Sequence, residues 1–138
     1  MNVERDVPLA PLTTLGIGGR ARRFARVTTL VDLQDAMRSE STVLVIGGGS
    51  NLVIGDAGWD GLVVQIALPG VEIELHDDHA IVTAAAGVNW DELVAQMCAA
   101  QLAGVECLSG IPGLVGATPM QNVGAYGQEV ADTITLVR

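Results

Sequence analysis

Residues 43–56 read VLVIGGGSNLVIGD, an apolar run that leads into three consecutive glycines. The run TVLVI at 42–46 is short and rich in branched side chains, which predicts a buried strand. Glycines directly after a strand let backbone N–H groups converge on an anion with no side chain in the way. Because the Ser50 hydroxyl and the Asn51 amide add neutral donors, a pyrophosphate fits this turn. A tight turn between two buried strands also needs glycine, and these residues alone leave both interpretations open.

The composition is that of a globular chain with an acidic balance. Its 138 residues are 49% apolar and 17% charged, with a formal net charge of −9. The basic residues are all arginine, which excludes a P-loop with its required lysine, and the acidic balance argues against a nucleic-acid surface. No long apolar run is free of charges or glycine clusters, which argues against a membrane span. The first residues lack the features of a signal peptide, so the sequence predicts a cytoplasmic protein.

Local patterns predict two helices and several strands. Thr29 is the expected N-cap of a helix over 30–39, and Asn89 that of a second helix with Asp91 and Glu92 in its first turn. Apolar positions of the second helix are predicted to be core, namely Leu93, Val94, Met97 and Cys98. Strands are predicted over 62–66, 71–75, 80–86 and 132–138, and the turn HDDH at 76–79 is predicted to join two of them as a hairpin.

A second glycine-rich segment, LSGIPGLVGATPMQNVGAYGQ at 108–128, follows the second predicted helix. Its density of glycine and proline predicts a long structured loop without an ordinary helix or strand. Loops of this length usually serve a function. Together with the glycines of the first turn, this loop could close on one extended anionic ligand that has a phosphate end and a planar end.

Several other sites are weaker interpretations of the sequence. GIGGRA at 16–21 lacks a preceding strand, and GGGSNL at 47–52 has Leu52 where a Rossmann fingerprint needs glycine, with no helix after it. His76 and His79 are better explained by a solvated turn than by a metal site. No histidine is placed to activate Ser50 or Ser109 as a hydrolase nucleophile. Cys98 and Cys107 are too far apart for a CxxC pair and are predicted to be free buried thiols.

Five motifs, in order across nearly the whole chain, resemble one enzyme family. TTLGIGG, IGGGSNL, AGVNWDELV, LSGIPGLVGATPMQNVGAYG and VADTITLV are similar to the flavin-binding half of the UDP-N-acetylenolpyruvoylglucosamine reductases, also called UDP-N-acetylmuramate dehydrogenases. The resemblance implies an α+β fold, the FAD-binding domain of the vanillyl-alcohol-oxidase (PCMH-type) kind. It implies two small α/β subdomains, about 1–68 and 69–138, with FAD between them.

The resemblance also implies the reaction. In the family, NADPH reduces the flavin, and flavin N5 then passes hydride to the enolpyruvyl double bond of UDP-N-acetylglucosamine enolpyruvate, which gives UDP-N-acetylmuramate for peptidoglycan. This takes place in the cytoplasm. The family's chains are much longer, and their substrate-binding domain and catalytic serine, arginine and glutamate correspond to positions beyond 138. The chain is therefore expected to bind the cofactor, to lack the UDP-sugar site and to be inactive alone.

Carried over by motif, the cofactor-binding residues form two groups. The pyrophosphate group is Gly47, Gly48, Gly49, Ser50, Asn51 and Leu52. The second group lines the cofactor near the flavin and consists of Ser109, Gly110, Ile111, Pro112, Gly113, Gly116, Ala117, Thr118, Gln121, Asn122, Gly124 and Tyr126. In the second group, Pro112 and Gly113 would let backbone approach the cofactor, and Thr118 would offer a hydroxyl near the ring. Because no histidine lies in the first glycine-rich segment, the FAD is predicted to be non-covalent.

Two other interpretations remain open at this stage. One is a different FAD-dependent oxidoreductase of the same fold, such as an oxidase of an alcohol or a sugar. The other is a non-catalytic nucleotide-binding or interaction module whose glycine loops only build turns. The second predicts no flavin affinity, and no loss when Gly48 or Gly113 acquires a side chain.

Overall fold

The computed structural model describes residues 1–138. The chain divides into two compact units, Met1–Leu68 and Pro69–Arg138. Each unit combines strands with helices, so the predicted α+β class is confirmed. No helix is long and apolar enough to cross a membrane.

The first unit is built on a mixed four-stranded sheet. Its elements are β1 (Glu4–Pro8), β2 (Arg20–Val27), α1 (Leu30–Ser39), β3 (Val43–Ile46) and β4 (Trp59–Ile66). The strand order is β1-β2-β4-β3, with β1 antiparallel to β2 and the two other pairs parallel. A short 3-10 helix, Ala10–Leu12, lies between β1 and β2. Because β3 and β4 are parallel, the chain must cross over after β3, and the glycine-rich turn begins this crossover.

Buried residues lie on both faces of the sheet at β4, which explains the continuous apolar run at 62–64 of this inner strand. Strand β3, which was predicted to be buried, is an edge strand, and its Val45 is 48% exposed. On one face, Leu62 and Val64 of β4 pack with Ala36 of α1. On the other face, Val63 packs with Ile46 of β3 and belongs to the same cluster as Phe24, Leu9, Ala21 and Ile54. Leu9 and Ile54 of this cluster lie outside the strands, and Leu52 of the glycine-rich turn also packs against it.

The second unit consists of a hairpin, one long helix and an irregular segment. Its elements are β5 (Val71–Leu75), β6 (Ala80–Ala84), α2 (Trp90–Ala99), α3 (Thr118–Gln121), β7 (Gly124–Ala125) and β8 (Gln128–Glu129). Strands β5 and β6 form an antiparallel pair, and so do β7 and β8. The buried core contains Trp90, Leu93, Val94 and Met97 of α2 together with Leu108 and Val130.

The predicted helices and their caps are confirmed. Helix α1 has the predicted bounds, and the Asp32 backbone N–H donates to Thr29 Oγ1 over 3.1 Å. In α2, the Glu92 backbone N–H donates to Asn89 Oδ1 over 3.1 Å, and Asp91 and Glu92 lie in the first turn. The strands over 62–66 and 71–75 are also confirmed, and Leu75 pairs with Ala80 across the predicted hairpin turn.

The predicted strand over 132–138 is wrong. Val130–Asp132 is a 3-10 helix, and the backbone N–H groups of Thr133 and Ile134 both donate to the Val130 carbonyl. Residues 134–138 form no ladder. Branched side chains favour a strand only where a neighbouring strand is there to pair with, and the structure provides none here.

The predicted absence of regular structure in the second glycine-rich segment is wrong in part. A one-turn helix, α3, begins at Thr118 with Pro119 in its first turn, where proline is tolerated. The two-residue strands β7 and β8 follow it. The glycines and prolines therefore keep these helices and strands short but do not prevent them from forming.

Two further differences concern Cys98 and the strands β1 and β2. Cys98 is exposed and Cys107 is partly buried, so the prediction of buried thiols is wrong, although both are free. The apolar face of α2 is centred on Trp90, Leu93 and Met97, which leaves Cys98 at its edge. No strand was predicted over β1 or β2, and β2 carries four of the arginines.

Candidate functional site

The first predicted group, Gly47–Leu52, forms an irregular turn directly after β3. No helix follows the turn, so the strand–turn–helix geometry of a Rossmann fingerprint is absent from this part of the chain. Gly49 is buried in the turn, whereas Gly48 and Asn51 are exposed. The turn therefore has an inner side packed on the first unit and an outer side that faces solvent.

Gly49 is glycine because the chain packs against it. Its φ of +68° lies in the left-handed region, and a Cβ atom there would collide with the backbone carbonyl of Leu12. The Thr14 backbone N–H also donates to the Gly49 carbonyl over 3.0 Å. The close packing of the turn therefore explains why residue 49 is glycine, and no ligand is needed for this explanation. A ligand role for Gly47, Gly49 and Leu52 stays a prediction.

The second predicted group lies in the other unit, where backbone hydrogen bonds hold the loop against the chain that enters α2. The Val115 N–H donates to the Val88 carbonyl over 2.9 Å, and the Gly116 N–H donates to the Ala86 carbonyl over 3.0 Å. A Cβ at Gly116 would lie 2.6 Å from Ala86 Cβ, so this close approach requires glycine. The motif AGVNWDELV and the long loop are therefore parts of one structure.

Trp90, the first residue of α2, makes two further hydrogen bonds to the long loop. Its indole Nε1–H donates to the Leu108 carbonyl over 3.0 Å in a buried setting, and its backbone N–H donates to the Gly113 carbonyl over 3.1 Å. Leu108 and Gly113 mark the two ends of the segment that contains Ile111 and Pro112. Both ends of this predicted cofactor-contacting segment are thereby fixed to one helix.

Asp91 was predicted only as an acidic residue of the first helical turn, yet it also contacts the long loop. Its Oδ1 atom accepts hydrogen bonds from the Gly110 backbone N–H over 2.6 Å and from the Ser109 hydroxyl over 3.0 Å. These bonds, the one from Gly110 first, lower the pKa of Asp91 below its ordinary value. The donors of Ser109 and Gly110 are therefore directed at Asp91. No local pattern connects residues 18 and 19 positions apart, so the sequence offered no signal for this contact.

Thr118 and Asn122 also make hydrogen bonds within the chain. Thr118 is only 4% exposed, and its hydroxyl donates to the Val115 carbonyl over 2.9 Å. The Asn122 side chain donates to Glu129 Oε2 over 2.7 Å and accepts from the Ala131 N–H over 3.2 Å. Both residues shape the loop, and their predicted contact with a flavin stays a prediction.

The remaining members of the second group differ in exposure. Pro112, Gln121 and Gly124 are exposed, whereas Ala117 is half-buried. Tyr126 is 93% exposed at the tip of the β7–β8 hairpin, with a φ of +54°. The structure thus brings the residues of the second group together on one irregular segment of the second unit.

The turn between β5 and β6 offers no metal site. His76 and His79 stack with ring centroids 4.6 Å apart, and His79 Nδ1 lies 2.7 Å from the Asp78 carboxylate. Both histidines are exposed, and nowhere does the structure gather three or more His, Cys, Asp or Glu side chains in a metal-binding arrangement.

Comparison with known proteins adds a family and several relatives. The model of the FAD binding domain family matches residues 21–138. A UDP-N-acetylenolpyruvoylglucosamine reductase of Cutibacterium acnes is 51% identical over 138 residues, which cover 96% of this chain and 37% of the relative. The enzyme of that name from Streptomyces coelicolor is 52% identical over 136 residues, which cover 96% of this chain and 34% of the relative. The chain thus spans little more than a third of the length of these curated relatives.

A solved structure is similar as well. The crystal structure of UDP-N-acetylenolpyruvylglucosamine reductase from Thermus caldophilus matches with a TM-score of 0.77 at 34% identity. The match covers 96% of this chain and 46% of the Thermus chain. At this identity and score, the two chains share a fold over almost all the residues described above.

Proposed function

Because the chain belongs to the FAD binding domain family, we propose that it is the cofactor-binding part of a UDP-N-acetylenolpyruvoylglucosamine reductase. Its fold is the α+β fold of FAD-binding domains of the vanillyl-alcohol-oxidase (PCMH-type) kind. The reaction proposed for the whole enzyme is the NADPH-dependent reduction of UDP-N-acetylglucosamine enolpyruvate to UDP-N-acetylmuramate. Relatives about half identical to this chain carry that enzyme's name, which supports the proposal.

The catalytic serine, arginine and glutamate implied by the resemblance correspond to no position within 1–138. The chain is therefore proposed to supply cofactor binding, while the UDP-sugar substrate and the catalytic residues belong to a further domain. FAD, when bound, supplies a centre that takes hydride from NADPH and gives it to the enolpyruvyl double bond. We place the reaction in the cytoplasm, where such a precursor would be made.

The observation that carries the proposal is the two-sided turn after β3. Its inner side is locked by the packing of Gly49 against Leu12, and its outer side exposes Gly48 and Asn51. A turn that is packed on one side and has an exposed glycine on the other fits a pyrophosphate, because no side chain at Gly48 blocks approach to its backbone. Gly48 would admit the anion and Asn51 would add a side-chain donor.

A second segment that we propose to contact the cofactor lies in the second unit. Ile111–Gly113 lies within residues 108–113, whose two end residues, Leu108 and Gly113, each accept a hydrogen bond from Trp90. Thr118 uses its hydroxyl proton on Val115, which leaves oxygen lone pairs for an N–H donor such as that of the flavin ring.

A titration of the purified chain with FAD tests the proposal. We expect saturable, stoichiometric binding that changes flavin fluorescence and the visible spectrum. We also expect the flavin to be released on denaturing precipitation, because no histidine lies in the first glycine-rich segment to attach it. Absence of FAD binding would overturn the assignment and favour loops that only build turns. Flavin that stays with the precipitated protein would contradict non-covalent binding alone.

Matched glycine variants locate the binding site. Gly48→Ala places a methyl group on the exposed side of the turn, and Gly55→Ala serves as its control because a Cβ at Gly55 meets nothing within 4 Å. Gly113→Val is paired with Gly70→Val, since the two glycines have nearly the same φ, +130° and +129°. We expect Gly48→Ala and Gly113→Val to weaken FAD binding by ~1–3 kcal/mol, the cost of one buried hydrogen bond left unmade.

The control variants distinguish steric obstruction of FAD from strain in the protein backbone. Gly55→Ala and Gly70→Val are expected to leave FAD affinity unchanged. If Gly113→Val bound FAD as tightly as the parent chain, the assignment of Gly113 would be wrong. If Gly70→Val weakened binding as much as Gly113→Val, backbone strain rather than a ligand contact would explain both effects.

A further inference from the structure

We propose that Asp91 is a positioning residue of the FAD site, whose carboxylate holds Ser109 and Gly110 and thereby sets the backbone of Ile111–Gly113. The inference rests on the proposed function, because it assumes that this backbone approaches the cofactor. Asp91 itself would not touch FAD. It acts through the loop that it holds.

The geometry shows what Asp91 adds to the junction. Trp90 holds Leu108 at one end of the segment and Gly113 at the other, through its indole and its backbone N–H. Between these two anchors, Asp91 Oδ1 receives both the Gly110 N–H and the Ser109 hydroxyl. Its carboxylate is therefore a third anchor, placed inside the span that the two Trp90 bonds leave open.

Gly110 needs such an anchor because nothing packs against its α-carbon. Its φ is +79°, and a Cβ built there would meet no heavy atom within 4 Å. Neither a side chain of its own nor a packed neighbour therefore restrains the backbone dihedral angles of Gly110. Glycine has the widest range of these angles of any residue. The hydrogen bond to Asp91 supplies the restraint that packing does not.

The charge of Asp91 suits this role and argues against direct contact with the ligand. Two donors and the first turn of α2 surround the carboxylate with partial positive charge, so it is ionised at neutral pH. A hydrogen bond to an ionised acceptor is stronger than one between neutral groups. The carboxylate already accepts hydrogen bonds from Ser109 and Gly110, so it can hold the loop without touching the ligand.

The test compares Asp91→Ala with Glu92→Ala in the same chain. Each variant removes one carboxylate from the first turn of α2, but only the first removes the bonds to Ser109 and Gly110. Two quantities are measured at a temperature where every variant is folded: the Kd for FAD, and the exchange rate of the Gly110 amide hydrogen by NMR without FAD. Asp91→Asn is the conservative variant, since its amide oxygen still accepts hydrogen bonds.

We expect Asp91→Ala to weaken FAD binding about tenfold or more and to raise Gly110 exchange by a similar factor, as the loss of a charge-assisted hydrogen bond predicts. Glu92→Ala should stay within about twofold of the parent in both measurements. Asp91→Asn should recover much of the affinity. This recovery distinguishes positioning through the acceptor oxygen from a general loss of stability.

Three results would overturn the inference. The first is an unchanged Kd in Asp91→Ala while the parent chain binds FAD, which would leave the proposed function intact. The second is weakened binding with no change in Gly110 exchange, or with no recovery in Asp91→Asn. The third is a parent chain that does not bind FAD, which would overturn the proposed function as well.

Discussion

At the scale of one residue, Gly49 is a motif glycine that packing requires, whether or not a ligand binds nearby. Gly48 and Gly49 look equivalent in sequence, yet the first is exposed and the second is packed on Leu12. Packing against Leu12 explains the glycine at the inner position, whereas the glycine at the outer position is the one that we propose to admit the ligand. Substitutions at the two positions should therefore have different consequences.

Gly49→Ala is expected to destabilise the chain by at least about 2 kcal/mol. An alanine at a φ of +68° is strained, and its methyl group would collide with a backbone carbonyl that cannot move without distorting the 3-10 helix at Ala10–Leu12. Urea unfolding measures the change, with Gly55→Ala as the control. If Gly49→Ala were as stable as Gly55→Ala, the packing against Leu12 would not be the reason for this glycine.

Asp91 makes a prediction about pH at the same scale. Because its pKa in the folded chain is lowered, the ionised form stabilises the fold above the ordinary value of 3.8, and this contribution is lost as the pH falls through the lowered pKa. The difference in unfolding free energy between the parent and Asp91→Asn should therefore shrink as the pH falls below about 3.8. All other ionisable groups are common to the two proteins, so the difference isolates the contribution of Asp91. A constant difference would contradict the ionised contact.

At the scale of elements, the hairpin of β7 and β8 places an exposed aromatic residue, Tyr126, in a strained backbone conformation. The two residues at its tip, Tyr126 and Gly127, both have positive φ, +54° and +83°, as a type I′ turn requires. Glycine suits this conformation, whereas a bulky residue is strained in it. A tyrosine that is 93% exposed gains little packing in return. A strained residue that packs little supports the hypothesis of a functional role, and the cofactor contact of Tyr126 stays a prediction.

Tyr126→Asn is expected to change stability and FAD binding in opposite directions. Asparagine is favoured at the first position of a type I′ turn, so the unfolding free energy should rise by about 0.5–1 kcal/mol. FAD affinity should fall if Tyr126 belongs to the flavin wall, as the motif implies. Thermal unfolding and an FAD titration measure the two effects. Unchanged affinity would show that the ring has no cofactor role.

At the scale of the whole molecule, FAD binding should stabilise the folded chain by mass action. At a free FAD concentration one hundred times Kd, the gain is about 2.7 kcal/mol for a ligand that binds only the folded state. For a domain of this size we expect the melting temperature to rise by roughly 5–15 °C and to keep rising with FAD concentration. Riboflavin, which lacks the phosphates, should give a smaller shift. A melting temperature that is independent of FAD would contradict the proposed site.

The sequence by itself determined the features that depend on residues close together in the chain. Helix α1 was predicted with its observed bounds, because Thr29, Asp32 and the apolar face all act within one or two turns. The N-cap of α2 and the β5–β6 hairpin were predicted for the same reason. The ordered motifs also indicated the family, since a long loop of specific residues is recognisable without its neighbours in space.

Only the tertiary structure decided the features that depend on partners far apart in the chain. The arginine-rich β2 is a strand because β1 and β4 lie on its two sides, whereas the branched residues after Val130 find no strand to pair with. Asp91 meets Ser109 and Gly110 across a whole helix, and Gly49 meets Leu12 across β2, α1 and β3. Hydrogen-bond pairing and steric contact act over ångströms in space. A pattern that is read along the chain contains no measure of those distances.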